Sequence, residues 1–145
     1  MRSVAMVAYA MLVLPLAAGP TFAACSGTAL SGGNVNQVVG KYACLKVGGV
    51  IQNNEYHATG GILQDYKKGP SDPVDPTSTI GQWAVTVGQP DTITYSYTGG
   101  PTYTYQVYST AGTTIPGTFC FSQIPSGITY SVYVSTSPSC ATPGS

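Results

Sequence analysis

The sequence is almost without charged side chains: its 145 residues include five basic residues, five acidic residues and one histidine. Most active sites are built from titratable groups whose pKa values are shifted by their neighbours, and this inventory can supply few of them. The balanced charge also leaves no basic patch for nucleic acid or for an anionic membrane surface. We therefore expect a protein that is not an enzyme, needs no cofactor and has no nucleic-acid partner.

Long apolar runs are also missing. The longest run, residues 4–18, is shorter than the ~20 residues of a membrane-spanning helix. It follows the basic residue Arg2 and precedes small residues, which is the order of a secretory signal. We predict a signal peptide over residues 1–23 with cleavage after Ala23, and a single domain over residues 24–145. The location is then periplasmic or secreted, with no integral membrane segment in the mature protein.

Cysteine is scarce but even in number: the four are Cys25, Cys44, Cys120 and Cys140. In an exported chain four cysteines predict two disulfides, and three pairings are possible. Proximity favours Cys25 with Cys44 and Cys120 with Cys140, each closing a loop of about 20 residues and contributing ~3 kcal/mol. Residues 22–25 also look like a lipoprotein box. Lipidation of Cys25 would leave an unpaired thiol, so we favour the disulfides.

No stretch of the mature chain carries a helical stripe, and strand patterns dominate instead. Apolar and aromatic residues alternate with Thr, Ser and Gln, and turn residues separate the segments. The segments are 38–47, 50–57, 61–67, 82–87, 92–97, 102–107, 119–121 and 128–134. We predict an all-β fold, an antiparallel meander of seven or eight short strands that forms a small barrel or a sandwich. Its many tyrosines are expected at the rim, with their hydroxyls in water.

The residues that could carry chemistry are few. His57 lies two residues after Glu55, on the same face of a strand, and no second histidine is present. One imidazole with scattered carboxylates is a poor transition-metal site, so we predict no metal and no catalytic residue. A hairpin would place Glu55 opposite Asp65, and glycoside hydrolysis uses such a pair of carboxyl groups. We expect instead that both side chains are exposed to solvent.

Between the third and fourth segments the chain is rich in proline, and residues 69–79 are predicted to form a stiff loop. The string Asp65–Thr77, Asp-Tyr-Lys-Lys-Gly-Pro-Ser-Asp-Pro-Val-Asp-Pro-Thr, precedes Gly81-Gln82-Trp83 and a Tyr-rich hairpin. Over about residues 40–125 the chain resembles a group of short exported bacterial β-rich proteins of uncharacterised function. The resemblance implies bacterial export and a small β domain, and it implies no activity.

Gly81-x-Trp83 also resembles the opening of a lipocalin strand. In lipocalins that motif starts an eight-stranded barrel, whereas about five strands follow it here. The resemblance to lipocalins implies a calycin-like barrel with an internal cavity, and we keep it as the alternative to the small β domain that the first resemblance implies.

Two classes of function fit the sequence. The first is a binding module for a small apolar or carbohydrate ligand, with aromatic and charged contacts around the loop. The predicted contacts are Tyr56, Tyr66, Trp83, Asp65, Lys67 and Lys68. The second is a structural protein of the envelope or extracellular matrix, since a near-neutral surface resists self-association poorly and open strand edges favour it. A hydrolase using Glu55 or Asp65 is the third.

Overall fold

The computed structural model describes residues 23–140, apart from positions 49, 68–70, 72–77, 111 and 112. Over these residues the fold is all-β, as the alternation predicts, with nine strands and one 3₁₀ helix (Asn34–Val38). The strands are β1 (Thr28–Ala29), β2 (Tyr42–Val47), β3 (Val50–Ala58), β4 (Ile62–Lys67), β5 (Ser78–Thr86), β6 (Thr92–Tyr97), β7 (Thr102–Ser109), β8 (Gly117–Ile124) and β9 (Thr129–Ser135). Nearly all of the predicted signal peptide lies outside the described residues.

The predicted strands are present, with differences at some boundaries. β5 begins at Ser78, inside the segment 69–79 that was predicted as a loop, and most of that segment lies outside the described residues. Another difference lies near the start of the domain. We expected the first strand to begin at Val38, but Val38 ends the 3₁₀ helix and β2 begins at Tyr42. Val38 is 2% exposed and packs in the main core, so its apolar character reflects burial from a helix and not from a strand.

Strands β2 to β9 form a closed barrel. Each pairs antiparallel with the next along the chain, and β9 pairs back with β2, with Tyr42 opposite Ser135 and Leu45 opposite Val132. The meander is therefore a barrel and not a sandwich. The two-residue β1 adds to the far end of β7, beyond the part that pairs with β6. Among the described residues, no helix is long or apolar enough to cross a membrane.

The alternation along each strand gives the barrel an inner and an outer face. At one end, here called the closed end, the chain turns between β3 and β4, β5 and β6, and β7 and β8. Its inward side chains pack solidly, and several are completely buried. This core consists of Val35, Val38, Leu63, Trp83, Ile93, Tyr95, Val107, Phe119, Phe121, Val132 and Val134. At the opposite, open end the barrel contains a cavity beside the β6–β7 and β8–β9 turns.

The 3₁₀ helix closes the barrel, and Asp91 holds it in place. The Asp91 carboxylate lies in the β5–β6 turn and accepts hydrogen bonds from the backbone N–H groups of Gly33, Val35 and Gly88 at 2.9–3.2 Å. Burial tends to raise the pKa of Asp91, but these N–H donors outweigh it and hold the pKa below its ordinary value. The carboxylate thus links the 3₁₀ helix, here called the plug, to the barrel wall.

Gly81 allows β5 to bend tightly against β6. A Cβ atom at Gly81 would come within 2.2 Å of the backbone oxygen of Ser96, a contact that real side chains do not make. The β4–β5 register also shifts between Leu63 and Gln64, directly beside this position. Gly81 of the Gly-x-Trp string therefore serves barrel curvature, on the fourth strand of the barrel and not the first.

The favoured disulfide pairing was wrong. Cys25 is bonded to Cys120 and Cys44 to Cys140, with Cα–Cα distances of 5.6 and 6.1 Å. Cysteines that are close in the sequence are not paired, because the two terminal segments run across the outside of the barrel. There Cys25 meets the outward-pointing Cys120, and Cys140 meets the outward-pointing Cys44. Each bridge closes a loop with a sequence separation of 95 or 96, which the loop-entropy model values at about 4–5 kcal/mol. Cys25 is therefore a disulfide partner and not a lipid anchor.

Substitution of Asp91 tests the attachment of the plug. Asp91→Ala removes the acceptor for three backbone donors, and we expect the free energy of unfolding to fall by about 2–4 kcal/mol. Asp91→Asn keeps one acceptor oxygen and should lose less. Urea denaturation measures both, with Gln82→Ala on the exposed face of β5 as the control. A loss for Asp91→Ala below about 1 kcal/mol would contradict this role for the carboxylate.

Candidate ligand-binding site

The open half of the barrel encloses a cavity of about 680 Å³. Its walls come from β2, β3 and β6 to β9, and they are mostly apolar and aromatic. The lining residues are Ala43, Leu45, Asn53, Glu55, Tyr95, Tyr97, Pro101, Tyr103, Tyr105, Phe121, Gln123, Ile128, Tyr130 and Val132. The volume lies within the ~300–1000 Å³ that small-molecule sites in proteins occupy.

Tyrosine rings form one continuous wall of this cavity. The same two-residue alternation that builds β6 and β7 turns their tyrosines inward, where successive rings contact each other edge to face or at a tilt. Ring centroids lie 6.1 Å apart for Tyr97 and Tyr103, 6.4 Å for Tyr103 and Tyr105, and 6.0 Å for Tyr105 and Tyr130. A bound molecule would meet ring faces and edges along this side.

Glu55 is the one carboxylate on the described wall of the main cavity. Its Oε1 accepts a hydrogen bond of 2.8 Å from the hydroxyl of Tyr97, and its register partner on β4 is Asp65. Burial raises the pKa of Glu55 to about 7; the Tyr97 hydrogen bond works in the opposite direction, and the nearby negative charge of Asp65 adds to the rise. At neutral pH the group is therefore balanced between its acid and its carboxylate form.

A second, smaller cavity of about 490 Å³ adjoins the first on the other side of Glu55 and Tyr97. Asp65 and Lys67 line it, and an Asp65 carboxylate oxygen accepts a 3.0 Å hydrogen bond from the backbone N–H of Lys67. Asp65 is 5% exposed. The expectation of a solvated Glu55–Asp65 pair was therefore wrong, because β3 and β4 turn both side chains into the barrel.

The floor of the cavity contains a buried histidine that is held neutral. His57 is inaccessible to solvent; its Nδ1 lies 3.3 Å from the carbonyl oxygen of Lys41 and its Nε2 lies 2.8 Å from the hydroxyl of Tyr95. The carbonyl can only accept, so we assign the ring proton to Nδ1, and Tyr95 then donates to Nε2. Burial lowers the pKa of His57 to about 4, although the Lys41 carbonyl favours the protonated form. The histidine predicted as an ordinary strand residue is a core residue.

Of the predicted contact residues, Trp83 is part of the floor. It is 8% exposed, its Nε1 donates to the carbonyl oxygens of Ala58 and Ile62, and its ring meets His57 edge to face at 5.3 Å. It does not line the cavity directly. Asp65 and Lys67 border the smaller cavity, and Lys68 lies outside the described residues.

Tyr56 and Tyr66 lie on the outside of the barrel. They pack with Tyr42, with ring centroids 4.7 Å apart for Tyr42 and Tyr56 and 4.9 Å for Tyr42 and Tyr66. The structure therefore separates the predicted contacts into an outer tyrosine cluster and an inner group. The expectation that tyrosine hydroxyls face water is wrong for Tyr95 and Tyr97, whose hydroxyls bond to His57 and Glu55.

The cavity tyrosines were missing from the predicted contact set, although their alternation was recognised as strand pattern. Tyr97 and Tyr105 have the same alternation parity as the buried Ile93 and Val107 of their own strands. That shared parity is the signal that could have identified them as inward-facing. Within the described part of the chain, no three His, Cys, Asp or Glu side chains are grouped so that they could hold a metal ion.

No protein-family model, curated protein or solved structure matches this chain. The barrel, its two disulfides and its cavity are therefore the basis on which a function can be argued.

Stability as a function of pH tests the two buried groups together. The pKa of Glu55 is raised from 4.5 to about 7, so the native state binds this proton more tightly and stability falls as pH rises through that range. The pKa of His57 is lowered from 6.5 to about 4, so the unfolded chain binds this proton more tightly and stability rises with pH. Each contribution is at most about 3 kcal/mol, and between pH 4.5 and 6.5 they oppose each other.

We therefore expect the free energy of unfolding of the wild-type protein to change little across pH 4.5–6.5. In Glu55→Gln the His57 contribution remains alone, and stability should rise by about 3 kcal/mol between pH 4 and 6.5. Urea denaturation at a series of pH values measures both profiles. Gln82→Glu, which adds a solvated carboxylate, should leave the wild-type profile unchanged. Identical profiles for the wild type and Glu55→Gln would refute the burial of an ionisable Glu55.

Proposed function

We propose that the protein is an exported binding protein whose barrel holds one small, largely apolar molecule in its open half. The observation that carries the proposal is the cavity of about 680 Å³, which an eight-stranded barrel filled by side chains throughout would not contain. The two disulfides fit a protein that matures in an oxidising compartment, and we place it in the periplasm or outside the cell.

The chemistry of the walls favours an apolar ligand over a carbohydrate. A sugar would need hydrogen-bond partners for most of its hydroxyls, because a polar group left unsatisfied in an apolar site costs binding free energy. Apart from tyrosine hydroxyls, the polar side chains on the wall are Asn53, Glu55 and Gln123. A ring-bearing molecule with one polar group matches this surface better.

Closure of the barrel weakens the case for a self-assembling structural protein. Edge-to-edge assembly needs a strand with unpaired backbone groups, and each of the eight barrel strands in the described structure pairs on both sides. A hydrolase remains the third alternative, since Glu55 and Asp65 are register partners. Binding of one ligand per chain without turnover would distinguish the binding protein from that enzyme.

Titration with N-phenyl-1-naphthylamine, a neutral apolar dye, tests the proposal. We expect saturable fluorescence enhancement with one dye per chain, because the cavity removes the dye from water. Fluorescence of Trp83 should respond weakly, since its ring lies in the floor and does not line the cavity, which its contact His57 and its register partner Tyr95 separate from it. A parallel panel of neutral sugars should show no binding.

Two matched variants locate the binding. Ala43→Phe places a ring inside the cavity and should weaken dye binding at least about tenfold, whereas Ala84→Phe places the same ring on the exposed outer face of β5. The unfolding midpoint of each variant shows that it is folded. Equal affinity in both variants, or no saturable dye binding by the wild type, would contradict a ligand site inside the barrel.

A further inference from the structure

We propose that the ligand of this barrel carries a positively charged amine, which ion-pairs with the Glu55 carboxylate while tyrosine rings enclose it. The inference rests on the proposed binding function and adds the chemical class of the ligand. It makes Glu55 the residue that determines specificity.

The described residues that line the main cavity carry charge of one sign only. Glu55 is the only carboxyl group among the described residues that line it, and no lysine, arginine or histidine appears on that wall. Beyond Glu55, the smaller cavity adds Asp65 and Lys67, so the three groups together have a formal charge of minus one. An anionic ligand would add to this negative charge, whereas a cation would balance it.

Glu55 also has unused hydrogen-bonding capacity. A carboxylate can accept about four hydrogen bonds, and the described residues supply one, from Tyr97 to Oε1. An ammonium group offers three N–H donors, so it can bind the carboxylate without displacing Tyr97. Because Tyr97 fixes the orientation of the carboxylate, little conformational freedom would be lost when the amine binds.

The tyrosine wall suits the rest of such a ligand. A cation within about 6 Å of an aromatic ring face is attracted by the ring, and the attraction grows when water is excluded. Tyr97, Tyr103, Tyr105 and Tyr130 succeed one another along the wall that contains the Tyr97–Glu55 hydrogen bond. An amine paired with Glu55 therefore has π systems beside it, and its carbon skeleton has the apolar walls of β2, β8 and β9.

Binding of an amine at Glu55 must then be coupled to the loss of a proton. Burial holds the pKa of Glu55 near 7, so part of the population is neutral at neutral pH, and the cation binds the ionised form. Among the described residues, the titratable groups that face Glu55 are Asp65 and Lys67 from β4, Tyr95 and Tyr97 from β6, Tyr103 and Tyr105 from β7, and Tyr130 from β9. Burial raises the pKa of Tyr95, Tyr97 and Tyr105, so these hydroxyls stay neutral.

The test compares an amine, an alcohol and a carboxylate that share one naphthalene skeleton: 2-(1-naphthyl)ethylamine, 2-(1-naphthyl)ethanol and 1-naphthaleneacetate. Isothermal titration calorimetry with the oxidised mature protein at pH 8 should show that the amine binds most tightly, the alcohol less tightly and the carboxylate least tightly. We expect the amine to bind at least about tenfold more tightly than the alcohol, as a hydrogen bond to a charged group implies. From pH 7 to pH 5 the amine affinity should fall by up to about tenfold per unit, while that of the alcohol stays constant.

Glu55→Gln should remove the preference for the amine and its dependence on pH, and alcohol binding shows that the variant is folded. The matched control is the double variant Glu55→Gln with Gln82→Glu, which restores the net charge on the outer face. It should remain without amine preference, because the effect needs a carboxylate inside the cavity.

The outcomes separate this inference from the proposed function. If the wild type binds amine and alcohol equally, or prefers the carboxylate, the amine inference is overturned and the binding function stands. If the three naphthalene compounds fail to bind while the neutral dye binds, the amine inference is likewise overturned and the binding function stands. If neither the dye nor any of the three compounds binds, both proposals fail.

Discussion

The antiparallel pairing of β2 with β9 is the constraint on which the rest of this structure depends. It joins the first and last strands of an eight-stranded meander, so every inward side chain faces an enclosed interior and not a second layer. Without this closure Glu55 and Asp65 would lie on one hydrated face of a sheet, as ordinary solvated acids. Closure turns them, with His57, into buried ionisable groups whose charge states must be settled inside the protein.

The two halves of the interior solve different problems. In the closed half the plug residues Val35 and Val38 fill the end of the barrel, and Asp91 attaches that plug to the β5–β6 turn. In the open half many of the inward side chains are tyrosines that contact one another around the wall, and the Tyr97 hydroxyl reaches Glu55 on β3. Rings have few rotamers, so such a wall keeps its shape at a small entropic cost. A solid base supporting a rigid-walled cavity is an arrangement suited to binding.

The alternation in the sequence was sufficient to predict the strands, because period two follows from the geometry of an extended chain. It could not distinguish a barrel from a sandwich, since closure depends on a pairing between residues about ninety positions apart, such as Tyr42 with Ser135. The disulfides were mispredicted for the same reason. Cys25 meets Cys120 through the path of a terminal segment over the outer wall, and nothing local in the sequence encodes that path.

Only part of the candidate site could be predicted from the sequence. The alternation of side chains between the two faces of each strand explains which part. Glu55 and His57 share one strand face, so Tyr56 between them must point the other way, and it lies outside with Tyr66. Asp65 and Lys67, which precede the proline-rich loop in the sequence, border the smaller cavity, and most of that loop lies outside the described residues. The tyrosines that form the wall looked like ordinary strand residues, because alternation identifies an inner face without showing whether that face is packed or hollow.

Glu55 is the residue that a purely structural account leaves without a reason. Its burial makes the native state less stable as pH rises through 7, whereas an uncharged residue of similar size, such as glutamine, would carry no such penalty. The carboxylate keeps one described partner, a neutral hydroxyl, which satisfies a hydrogen bond but does not neutralise charge. A cationic ligand would supply the missing charge and recover the desolvation cost as binding free energy. The feature that destabilises the unliganded barrel would then be the feature that selects its ligand.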